Sequence, residues 1–146
     1  MTQSEFILKI VSFIERVNLD PDRFCGMLAP HFVECCAEDK SITLCFDTQA
    51  WEENPLGVIH GGIISGMLDS AMGILASTDS GGRSVTVSLQ TSFLRATYAG
   101  EKINVRAVVT YAGRSIVHCE AKAYREGEPA DAIATATAVF KPIAAI

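Results

Sequence analysis

Residues 60–77 read HGGIISGMLDSAMGILAS. Ile63, Ile64, Met67, Leu68, Met72, Ile74 and Leu75 leave almost no face of a helix polar, and a helix apolar around most of its circumference is a buried one. The stretch is about 16 residues long, short of the roughly 20 that span a bilayer, and Asp69 interrupts it midway. It reads as a core helix, and the rest of the chain must surround it.

The flanks supply strands to do so. Upstream, HFVECCA (31–37) and SITLCFD (41–47) flank the polar turn Glu38-Asp39-Lys40, a hairpin signal. Downstream of Asp79-Ser80-Gly81-Gly82, SVTVSLQTSFLR (84–95) alternates Val85, Val87, Leu89, Thr91 and Phe93 with polar residues. KINVRAVVTY (102–111), SIVHCEAKAYR (115–125) and ADAIATATAVF (130–140) follow across turns at Tyr111–Arg114 and Glu126–Pro129. The expected order is a helix, two strands, the buried helix, then four strands in meander. Ahead of it, Phe6, Ile10, Phe13, Ile14 and Val17 repeat at helical spacing over residues 4–17, with Ser4 as N-cap, until Asp20-Pro21. Residues 24–28 are apolar and carry no clear signal. One antiparallel sheet curled around one apolar helix, in the α+β class, satisfies this order. Its remaining open edge calls for a second copy.

Composition narrows the function. The 146 residues suit one domain (1–146, with residues 1–30 as an N-terminal helical extension). A hydrophobic share of 49% against 20% charged residues excludes disorder. A net charge of −5, with no two adjacent Lys or Arg, argues against nucleic acid as a partner. The N-terminus, broken by Glu5, Lys9, Glu15 and Arg16, is neither signal peptide nor membrane span, so no membrane partner and a cytoplasmic location are expected. Five cysteines (25, 35, 36, 45 and 119) form no CxxC or zinc spacing. They read as free thiols, a nucleophilic one being the lesser alternative. No metal and no cofactor are expected.

Two features carry chemistry. If the helix begins at His60 or Gly61, the amides of Gly61, Gly62 and Ile63 have no intrahelical partner and sit where the dipole is positive. Two glycines admit a bulky group to that backbone, as a developing oxyanion on a thioester carbonyl requires. Gly-Gly also simply relieves crowding where helix meets sheet. Asp69 is the second: a carboxylate in an apolar helix is costly unless paired or wetted. It lies nine residues beyond His60, roughly 13–14 Å along the axis, too far to serve the same chain's helix end. If the two cooperate, antiparallel helices across a dimer axis must bring them together, giving two composite sites. Asn54, held extended by Pro55, offers an amide to position a water or carbonyl. Thr86 offers a hydroxyl for the carboxylate, and His60 an acid, a base or a helix entry. Arg95 and Arg114, near strand ends, are candidates for phosphate contacts.

At these residues the chain resembles the PaaI-type branch of the hotdog-fold acyl-CoA thioesterases. The resemblance runs through NPLGVIHGGIISGMLDSAMGILA into SVTVSLQTSFLRATYAGE and covers about residues 30–141. It implies hydrolysis of an acyl-CoA thioester to free acid and coenzyme A, in a homodimer or dimer of dimers. It further implies the Gly61 amide as oxyanion donor, with Asn54 and His60 as positioning groups. Asp69 becomes nucleophile or general base, with Thr86 beside it, from the other subunit. Where relatives often carry a small residue then proline after a polar strand pair, this chain has Phe93-Leu94-Arg95-Ala96. Two other readings compete: a non-catalytic acyl-CoA-binding hotdog module, and an enoyl-thioester hydratase suggested by Glu53-Asn54-Pro55.

Overall fold

The computed structural model describes residues 1–144. Helix α1 (Gln3–Asn18) opens with a capping box: the Glu5 amide donates to Thr2 Oγ1 at 3.1 Å, and the Thr2 amide donates to Glu5 Oε2 at 2.7 Å. Thr2, rather than the expected Ser4, is therefore the cap. Phe6, Ile10 and Ile14 form its buried stripe. The uninformative stretch 24–28 is a short helix, α2 (Phe24–Leu28), closed by Ala29 at φ 50°. A Cβ on Gly26 would lie 2.0 Å from the Asp20 carbonyl oxygen, so only glycine lets α2 fold back against the end of α1.

The hairpin forms as expected, from β1 (His31–Cys36) and β2 (Ser41–Asp47), with Lys40 at φ 48° in its turn. The buried helix, α3, spans Gly61–Ser80, 20 residues rather than about 16. It absorbs Asp79-Ser80 from the expected turn and stops at Gly81, whose φ of 75° ends it. Strands β3 (Arg83–Phe93), β4 (Lys102–Ala112), β5 (Val117–Arg125) and β6 (Ala132–Ile143) complete the chain.

All pairings are antiparallel, in the order β1-β2-β4-β5-β6-β3. Only β4-β5-β6 is a meander. β3 crosses to the far edge and pairs with the last strand, Thr86 opposite Phe140 and Phe93 opposite Ala134. This is the hotdog architecture: a curved six-stranded sheet around one helix. Met67, Leu68, Met72 and Leu75 are fully buried between α3 and the sheet, each burial contributing about 1.5–3 kcal/mol. Met67 and Met72 thus belong to the core.

Helix α3 is not buried all round. Gly62 is exposed, and Gly66, Asp69, Ser70 and Gly73 are half-buried, a seam of small and polar residues along one side of the helix. Beside it, β3 inverts the usual alternation. Thr86 reaches α3, whereas Val85, Val87 and Leu89 are exposed, Val87 at 60%. No helix is long and apolar enough to cross a membrane among the described residues.

Candidate active site

The loop before α3 sets the geometry of its first turn. A 3-10 turn, Ala50–Glu52, is held at its start by the Glu52 carboxylate, which accepts from the Gln49 amide. The Glu52 carbonyl then accepts from the His60 amide at 2.8 Å, and Glu53 bridges Ile59. His60 becomes the N-cap of α3: its Nδ1 accepts from the Gly62 amide at 3.0 Å. An accepting Nδ1 carries no proton, so the neutral ring holds its proton on Nε2. The amides of Ile63 and Ile64 reach the His60 carbonyl at 2.9 and 3.2 Å. Of the three amides expected to be free, only that of Gly61 has no partner among the described residues.

Around that amide lies a cleft of about 370 Å³ lined by Asn54, Gly61, Phe93, Arg95 and Thr97. The Phe93 ring covers Gly61 so closely that a Cβ there would come within 3.2 Å of it. Asn54 Oδ1 accepts from the Leu56 and Val58 amides at 2.9 and 3.2 Å, which fixes the loop and leaves its Nδ2 to donate elsewhere. Arg95 pairs with Asp131 at 3.2 Å at this same end of the molecule. Arg114 sits in the β4–β5 turn, just before Val117, whose register partner Phe140 pairs in turn with Thr86. That is the opposite end of the sheet, so one chain does not bring the two arginines together.

Asp69 occupies the open seam of α3, two turns beyond Gly61. Thr86 Oγ1 donates to Asp69 Oδ1 at 2.8 Å. The carboxylate is thereby oriented, while Oδ2 keeps its acceptor capacity for a water or an electrophile. Eight residues of helix, roughly 12 Å, separate it from the Gly61 amide of its own chain.

Four of the five cysteines are poorly disposed to act as nucleophiles. All five are free thiols. Burial pushes up Cys25, Cys35, Cys45 and Cys119, the last to about 12, and the thiolate rather than the thiol is the nucleophile. Among the described residues, no three His, Cys, Asp or Glu side chains converge as a metal site would require.

Two supporting residues escaped the sequence reading. Glu52 is 1% exposed, its Oε2 has no partner among the described residues, and burial pushes its carboxyl up against the opposing pull of the Gln49 amide. Its signal, a capping box opened by glutamine, departs from the usual Ser or Thr. Thr97 is buried, its carbonyl accepting from Ile59 at 2.7 Å and its hydroxyl unpartnered in the cleft wall.

The family model of the thioesterase superfamily matches residues 56–132, from the loop before His60 to the start of β6. Among solved structures, a Ralstonia eutropha JMP134 phenylacetic acid degradation-related protein shares 27% identity over 80% of this chain and 87% of its own, with a TM-score of 0.73. The E. coli PaaI protein of the phenylacetic acid degradation operon superimposes with a TM-score of 0.83, covering 99% of this chain and 97% of its own at 14% identity. A Streptococcus mutans UA159 protein bound to acetyl CoA aligns at 18% identity over 76% of this chain and 87% of its own, with a TM-score of 0.67. A search of curated proteins finds no match.

Proposed function

The chain belongs to the thioesterase superfamily, and from that premise we propose that it hydrolyses an acyl-CoA thioester to free acid and coenzyme A. The Asp69–Thr86 hydrogen bond carries this reading. It holds a carboxylate at a fixed angle on an otherwise apolar helix, with one oxygen left for chemistry. Acetyl CoA bound to the S. mutans relative supports a CoA thioester as ligand.

In this mechanism the substrate carbonyl oxygen lies against the Gly61 amide, where the helix dipole and the unpaired N–H stabilise the negative charge of the tetrahedral intermediate. Asn54 Nδ2 positions the carbonyl or a water, and the His60 cap fixes the amide's direction. Asp69 attacks the carbonyl carbon to give a mixed anhydride that water then opens, or takes a proton from a water that attacks in its place. Either route expels the CoA thiolate. No metal or redox cofactor enters the scheme.

Because the two halves lie two helix turns apart in one chain, each complete site combines the Gly61 end of one subunit with Asp69 and Thr86 of a second copy. The unpaired edge of β3, with Val85, Val87 and Leu89 exposed, supports a homodimer built along that strand. A dimer of dimers is compatible with this arrangement. The test is release of free thiol from a panel of acyl-CoAs by wild-type protein and by Asp69→Ala. Turnover that the variant loses supports the reading. Equal turnover by both, or binding without turnover, ends it.

A further inference from the structure

A cleft of about 750 Å³ runs between the end of α1, α2 and the start of β3. Asp69 and Thr86 do not line it, but residues next to both do. Cys25, on one wall, lies against Ser70 and within the field of Asp69. Ser84 and Val85, on the other wall, immediately precede Thr86. Its far end reaches Ser77, eight residues beyond Asp69 on α3, or roughly 12 Å along the helix.

The lining changes over that length. Val17, Cys25 and Val85 make the near part apolar. Ser84 contributes a buried hydroxyl with no hydrogen-bond partner among the described residues. At the far end stand Arg16 and Arg83. Arg23 is neutralised by Asp20 at 2.7 Å, but neither Arg16 nor Arg83 enters an ion pair among the described residues, and Arg16 only lies over the Phe13 ring at 5.4 Å. In a chain of net charge −5, two exposed cations with no ion-pair partner among the described residues make this end of the cleft locally positive. The wall itself is fixed: Gly26 abuts the Asp20 carbonyl, and Phe24 packs where Gly66 leaves room.

Building on the thioesterase reading, we infer that this cleft seats the acyl group and selects acyl groups that end in a carboxylate. The methylene chain lies along Val17, Cys25 and Val85, the Ser84 hydroxyl donates to the distal carboxylate, and Arg16 and Arg83 balance its charge. The diphosphate of coenzyme A presents the same anionic chemistry, and the measurement separates the two sources.

The experiment is calorimetric titration of the Asp69→Asn protein, in which turnover is suppressed, with adipoyl-CoA, hexanoyl-CoA and free coenzyme A. Adipoyl-CoA is expected to bind on the order of tenfold more tightly than hexanoyl-CoA. Arg83→Gln and Ser84→Ala, both on the strand edge, each remove most of that difference and leave the hexanoyl-CoA affinity unchanged. Equal affinities for the two thioesters overturn the inference. So does an Arg83→Gln variant that weakens all three ligands alike, which places the diphosphate there instead. Failure of the thioesterase reading shows separately, as no thiol release by wild-type protein, because affinity does not depend on turnover.

Discussion

The Thr86 hydroxyl donates to Asp69 Oδ1 at 2.8 Å, tying the edge strand to the middle of the central helix. A hydrogen bond to a charged group of this kind is worth about 1.5–3 kcal/mol. Thr86→Val, which keeps the shape and the β-branch, is expected to lower kcat roughly 10- to 100-fold with little change in KM. Asp69→Asn is expected to lower it by on the order of 10³ or more. Thiol-release kinetics check both, with circular dichroism confirming the fold.

Gly61→Ala retains the amide but places a methyl within 3.2 Å of the Phe93 ring, where the thioester carbonyl must approach. The ring is 54% exposed and free to yield, so the fold survives. The expected outcome is a fall in kcat on the order of 10² with an unchanged melting temperature. Phe93→Leu alone should leave kcat near wild type.

Val87→Lys introduces a charge at a position 60% exposed in the single chain. Light scattering should then give the 15.7 kDa monomer in place of a dimer, with normal circular dichroism and no turnover. Conversely, co-refolding inactive Gly61→Ala with inactive Asp69→Asn should restore about a quarter of wild-type activity, since half the dimers are mixed and each holds one intact site.

Glu52 gives a pH signature. Burial raises its folded-state pKa above the ordinary 4.5, so the folded chain binds this proton more tightly than the unfolded one. The contribution of this group therefore falls as pH rises from the unfolded value through the folded one. Urea midpoints of wild-type and Glu52→Gln proteins, compared from below 4.5 upward, should diverge with rising pH, the variant gaining. Parallel curves would refute the assignment.

Much of this was legible in the residues. The apolar core helix, the acid midway along it and the Gly-Gly at its start are local signals, and each is where it was expected, although the helix keeps one open face and runs on to take in Asp79. The distance between Gly61 and Asp69 follows from helix geometry alone. The strand order was not legible, because β3 alternates as β4 does and nothing local says which neighbour it takes. Its alternation also misleads: Thr86, on the polar side, faces the helix, and Val85, Val87 and Leu89 stay exposed. One chain's pattern records a surface that the chain by itself does not cover. Glu52 and Thr97 were invisible for a different reason. Their burial arises where the loop before α3 crosses the segment after β3, and that crossing exists only in the folded protein.

The edge position of β3 also orders the events of synthesis. Asp69 and Thr86 leave the ribosome close together, yet β3 has nothing to pair with until β6, the last strand, is complete: Arg83 sits opposite Ile143. Until then α3 can pack only on β2, β4 and β5 of the sheet, while the strand that carries Thr86 waits at the edge without its neighbour. A chain stopped short of β6 would hold every residue of the candidate site but would leave Thr86 on a strand without its neighbour.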